Sequence, residues 1–173
     1  MRVTSPLRGL TGTGLDGAIT TLHRSEEGLA RALLQLSDRH SADHEIHFVA
    51  RDLAGWSREH VQRLADAGRA HGLDLDREPA AHRSLPAVLK RATGAALGRL
   101  HTPSVLLLAD LREIHRAAAG VSLDWEVLAQ SAQAAGDTDL AGLAADCHPQ
   151  TLRQLRWANA QVKELAAQAI LAT

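Results

Sequence analysis

Four long stretches of the chain repeat apolar residues at the spacing of helices that pack in a bundle. The residues of the first stretch step by three or four, and one of them is charged: Ile19, Leu22, Glu26, Leu29, Leu33 and Leu36. Inside a bundle a carboxylate is costly unless it is paired, hydrogen-bonded or bound to a metal. Glu26 therefore predicts a polar site in the core.

The pattern predicts four helices within a single domain over residues 15–173. The first runs from an N-cap at Asp16 to about residue 38, and Ser41 or Asp43 caps the second, which Gly72 ends. The third spans about 104–135 and the fourth about 139–171, where Pro149 predicts a kink or a restart. Residues 1–14 contain a proline and three glycines, which predicts a flexible N-terminal arm.

The connections between these helices predict their directions. Short turns join the first helix to the second and the third to the fourth, so each pair forms an antiparallel hairpin. Residues 72–103 contain Pro79 and Pro86 and predict a long crossover with a short extra helix near 87–97. A crossover of that length lets the third helix start at the same end as the second. No strand pattern competes, so we expect an all-α four-helix bundle.

Two segments resemble a known family. Arg51 to Leu64, RDLAGWSREHVQRL, and Val121 to Leu165, a helix, a Gly-Asp turn and a returning helix, resemble the hairpins of small bacterial ferritin-like proteins of a stress-associated branch. The resemblance implies a ferritin-like four-helix bundle, dimerisation and, in some members, a bound metal pair. Ferritin-like metal sites use Glu-x-x-His on two helices. That motif is absent from this sequence.

A non-standard site is the main candidate for metal binding. The predicted register places Glu26 opposite Trp56 to His60 on the second helix and brings His115 of the third helix within roughly two turns of that level. One carboxylate with two imidazoles suits a divalent transition metal such as iron or zinc. The alternative is a buried Glu–His pair that satisfies itself by hydrogen bonding.

Other metal-ligand candidates have alternatives of their own. His44 and His47 share a helix face and could chelate one ion, although a solvated first turn also explains them. Glu126 could replace the carboxylate that ferritin-like sites take from the third helix, and His148 follows Cys147 in a further pair. The letters Gly12-x-Gly14-x-x-Gly17 match a dinucleotide fingerprint, but no strand precedes them.

Composition limits the classes of partner and location. The net charge of -1 gives no basic footprint for nucleic acid. The sequence shows no signal peptide and no apolar run long enough for a membrane, and its single cysteine fits a reducing compartment. We therefore expect a cytoplasmic protein.

Three functions remain open from the sequence. The first is a non-enzymatic bundle that acts by self-association, as a dimer, or by binding an unknown protein partner in a stress response. The second is a metal-binding, redox-active bundle. The third is a small-molecule binder with a pocket near Gly120, where small residues thin the packing.

Overall fold

Four helices make up almost all of the described chain. The computed structural model describes residues 8–78 and 103–171, with side chains over 14–78 and 103–168. The helices are α1 (Arg8–Arg39), α2 (His44–Ala70), α3 (Pro103–Ala135) and α4 (Thr138–Leu171). The described ranges contain no strand, which confirms the all-α prediction. Residues 1–7 of the predicted arm, the predicted helix near 87–97 and most of the crossover lie outside the described residues.

Both ends of α2 carry the predicted capping residues. The Asp43 side chain accepts a hydrogen bond from the backbone N–H of Ile46 and so caps α2. Gly72 ends that helix with a φ of 76°, a conformation that favours glycine. In the second hairpin Gly136 has a φ of 73° and Asp137 caps α4 through the N–H of Leu140. Local sequence therefore determines both hairpin turns.

The start of α1 differs from the prediction, and one of the two alternatives predicted for Pro149 is excluded. α1 begins at Arg8, so residues 8–14 of the predicted arm are helical and Asp16 lies inside the helix, where its carbonyl accepts a bond from Thr20 Oγ1. Leu15 is buried and extends the apolar seam of α1 toward its N-terminus. α4 continues through Pro149 without a restart. Cys147 and Thr151 are both buried on either side of the proline, and such tertiary packing outweighs the local cost of a proline.

Contacts between helix ends give the directions of the four helices. His40, just after α1, contacts Asp110 near the start of α3, at 2.8 Å. His71, just after α2, lies 3.2 Å from Asp137, just before α4. α1 therefore runs antiparallel to α2 and α3, and α2 and α3 start at the same end of the bundle. These directions are those of two hairpins joined by a crossover.

The core is a single apolar cluster that all four helices share. Its largest fully buried members include Trp125, Ile19, Leu22, Leu29, Leu33, Leu64, Leu111 and Leu128. Buried polar side chains interrupt this cluster near the middle of the bundle. None of the described helices contains an apolar stretch long enough to cross a bilayer.

Candidate functional site

Glu26 is the centre of a buried polar cluster. Its side chain is fully buried, and its Oε1 accepts hydrogen bonds from one residue of each of the other three helices. The donors are His60 Nδ1 at 2.8 Å, Trp125 Nε1 at 2.7 Å and Thr151 Oγ1 at 3.2 Å. Because these donors come from α2, α3 and α4, the carboxylate on the apolar face of α1 is hydrogen-bonded to all three other helices.

His60 is the counter-ion of this carboxylate. Burial lowers the pKa of His60, but hydrogen bonds to Cys147 and Glu26 outweigh that effect and raise the pKa to about 10. Its second nitrogen, Nε2, donates to Gln150 Oε1 at 2.8 Å, so both ring nitrogens meet acceptors, as an imidazolium requires. The ring also packs edge-on against the Trp125 indole, with centroids 5.5 Å apart. Glu26 and His60 therefore form a buried ion pair.

A second layer of polar groups lies one helical turn away. Gln154, three residues after Thr151, donates from Nε2 to the Leu53 carbonyl and to Ser57 Oγ, each at 2.9 Å. Ser57 in turn precedes His60 by three residues and so lies on the same face of α2. These bonds connect α2 to α4 below the ion pair.

Two oxygens of the cluster have no hydrogen-bond partner among the described residues. They are Glu26 Oε2 and Gln154 Oε1, and both are buried. Unpaired buried acceptors are uncommon in folded proteins. They are the positions where a bound water or a cation would find unused lone pairs.

His115 lies away from this cluster. It is half-buried on α3, and its buried Nδ1 has no partner among the described residues. Trp125, ten positions further along α3, takes the place at Glu26 that the sequence assigned to His115. Ten residues of α-helix correspond to about 15 Å along the axis, so His115 lies nearly three turns from Trp125, whereas the sequence predicted it within roughly two turns of the Glu26 level.

The other candidates make no hydrogen bond to one another among the described residues. Glu126 is exposed on the outside of α3, and His148 shares a 2.8 Å hydrogen bond with Ser122. His47 Nδ1 donates to the Ser37 carbonyl at 3.0 Å, while His44 is exposed. The structure thus brings together only Glu26 and His60 of the predicted ligands.

The chemistry of the centre follows from its composition. Over residues 8–78 and 103–171, no three His, Cys, Asp or Glu side chains are grouped as ligands of one metal ion would be. The single carboxylate is paired with a cation and surrounded by neutral donors. Such a centre holds the four helices in one register. Its hydrogen bonds and ion pair are sufficient for a structural role.

Several members of the cluster are not metal or catalytic candidates by sequence alone. Thr151 and Gln154 are separated by three residues, as are Ser57 and His60. This spacing on facing helices was the available signal, but neutral polar residues on amphipathic helices are too common for it to indicate a site.

Comparison with models of known protein families, with curated proteins and with solved structures finds no match.

Proposed function

We propose that this chain is a ferritin-like helical-bundle protein that has an ion pair where di-metal bundles have their metals, and that it acts by binding another protein molecule rather than by catalysis. The observation that carries the proposal is the bonding of Glu26. Its Oε1 accepts three hydrogen bonds and its charge is balanced by His60. The carboxylate that would begin a metal site is therefore already bonded to protein groups.

The residues that surround Glu26 support a centre without two metals. Ferritin-like metal centres combine a Glu from each of two helices with Glu-x-x-His on the other two. In this chain α2 has Ser57-x-x-His60 in place of Glu-x-x-His. The residues at the same level of α3 and α4 are Trp125 and Gln150, and neither has a carboxylate. One carboxylate cannot balance the charge of two divalent ions in a dry core.

The surface of the bundle supports action through binding. Leu123 and Val127 are large apolar residues that are 62% and 49% exposed on one face of α3. Exposed apolar residues that lie together commonly mark contact surfaces. A free buried thiol at Cys147 agrees with a cytoplasmic location, and the stress-associated role rests on the family resemblance.

Metal analysis of the purified full chain tests the proposal. The protein is incubated with Fe²⁺ under anaerobic conditions or with Zn²⁺, dialysed, and analysed for bound metal and thermal midpoint. We expect well below one ion per chain and an unchanged midpoint. One or two ions per chain that are lost in Glu26→Gln but retained in Glu59→Gln, an exposed control next to His60, would overturn the proposal.

A metal-binding and redox function is the second candidate, and the orphan oxygen favours it. Glu26 Oε2 is buried and has no hydrogen-bond partner in the described part of the chain, and it belongs to the same carboxylate that bonds His60. A zinc or iron ion held there would require His60 to lose a proton. Metal uptake that increases between pH 6 and pH 9 and disappears in His60→Ala would identify this function.

A further inference from the structure

An exposed face of α1 and α3 combines a protrusion with an adjacent groove. We define the α1/α3 face by its residues on the two helices: Gly14, Gly17, Thr21, Arg24 and Gly28 on α1, and Gly120, Leu123, Glu126 and Val127 on α3. Leu123 and Val127 protrude from α3. Beside them a groove of about 250 Å³ is lined by Gly14, Gly17, Ala18, Thr21, Asp124 and Val127.

The glycines have no side chains, so the α1 side of this face protrudes less than the α3 side. A Cβ atom placed on Gly14, Gly17 or Gly28 would meet nothing within 4 Å. Three such glycines reduce the stability of an isolated helix by about 1 kcal/mol each relative to alanine. The large apolar side chains of Leu123 and Val127 therefore protrude next to a groove that is lined mainly by small residues. A surface with both features on one molecule can pair with itself through a two-fold axis.

The charges on the face are complementary under the same symmetry. Arg24 and Glu126 are both exposed, and neither has an ion-pair partner in the described part of the chain. They lie at nearly the same level of the bundle, because Glu26 of α1 contacts Trp125 of α3. A two-fold axis that lies between the two facing surfaces and runs parallel to the helices places α1 of one copy opposite α3 of the other. It therefore brings Arg24 of one copy opposite Glu126 of the other.

We propose that the α1/α3 face binds a second copy of this chain, with Leu123 and Val127 of each copy packed over the small residues of its partner's α1. The inference rests on the proposed function and specifies the molecule that is bound. In such a dimer the two large apolar residues lose their exposure to water, which stabilises the pair in proportion to the area covered. The Arg24–Glu126 pairs at the rim select the register.

A glycine substitution separates dimerisation from folding. Light scattering coupled to size exclusion measures the mass of the full chain over a range of concentrations, and we expect a dimer. Gly17→Gln adds a side chain that has room in the single chain but collides with the second copy. We expect the dissociation constant to rise at least about tenfold, with an equal or higher thermal midpoint. Gly55→Gln, equally exposed and open but on α2, is the matched control and leaves the dimer unchanged.

Charge exchange tests the symmetry of the pairing. Arg24→Glu and Glu126→Arg each weaken the dimer, and the double variant restores it, because the two reversed charges again face each other. A chain that is monomeric at all concentrations would overturn the inference, as would a dimer that tolerates both Gly17→Gln and Leu123→Glu. A monomer without bound metal leaves the proposed function standing, whereas a dimer that binds stoichiometric metal at Glu26 overturns only the proposed function.

Discussion

The indole N–H of Trp125 donates a 2.7 Å hydrogen bond to Glu26 Oε1, and this contact joins the middle of α3 to the middle of α1. The ring is fully buried and packs against the His60 imidazole. One side chain thus fills apolar volume and stabilises a buried charge by a hydrogen bond. Removal of either partner leaves the other without this hydrogen bond inside the core.

Trp125→Phe keeps an aromatic ring but removes the N–H donor and part of the ring volume. We expect a loss of about 1–3 kcal/mol in the free energy of unfolding, because a bond to a charged acceptor disappears. Trp157→Phe is the natural control, since its buried indole nitrogen has no partner among the described residues. Urea unfolding of both variants measures the difference. Equal losses would show that the bond to Glu26 contributes nothing beyond ring volume.

Glu26→Gln keeps the shape of the side chain and removes its charge. The His60 imidazolium then loses its counter-ion inside the core, so we expect destabilisation of about 3 kcal/mol or more. Glu59→Gln, next to His60 but exposed, is expected to change stability by less than about 0.5 kcal/mol. Denaturant titrations of the two variants at neutral pH provide the comparison. A Glu26→Gln protein as stable as the wild type would contradict the ion pair.

His60 predicts a loss of stability at alkaline pH. Its pKa rises from 6.5 to about 10 on folding, so the folded state binds the proton more tightly than the unfolded state. The resulting stabilisation is complete below pH 6.5 and disappears as the pH rises toward 10. We expect the free energy of unfolding to decrease across that range, and to decrease less in His60→Gln. This variant retains Cys147, so the difference between the two slopes isolates His60. Parallel slopes would refute the prediction.

Gly72 and Gly55 predict opposite effects of the same substitution. Gly72 has a φ of 76° at the end of α2, where an alanine is strained, so Gly72→Ala is expected to cost about 1 kcal/mol. Gly55 lies inside α2 with open space at its Cβ position, and Gly55→Ala is expected to stabilise by up to about 1 kcal/mol. Thermal unfolding monitored by circular dichroism measures both. A shift of the same sign in both variants would contradict the turn geometry.

Sequence reasoning predicted the architecture because its signals are local. Apolar spacing, the cap at Asp43 and the glycine at position 72 depend on a few neighbouring residues, and they predicted four helices and two hairpins. The start of α1 was wrong because glycines lower helix propensity, whereas burial of Leu15 favours extension of the helix. Propensity is the weaker of these two effects.

The candidate site depended on longer-range information. A carboxylate in an apolar seam needs a partner, so Glu26 was identifiable from one helix alone, and a residue on the facing turn of α2 followed from the short hairpin. The α3 residue that bonds Glu26 could not be predicted, because the long crossover between α2 and α3 sets no register between these helices.

The sequence alone therefore determined the four long helices of the described residues, their pairing in hairpins and a buried charge that needs compensation. Only the tertiary structure decided how that charge is compensated, because a shift of three turns along α3 exchanges His115 for Trp125 at the same carboxylate. A histidine there would have favoured a metal site. An indole donor fills the same place with a hydrogen bond and apolar surface, and the centre becomes a hydrogen-bonded ion pair.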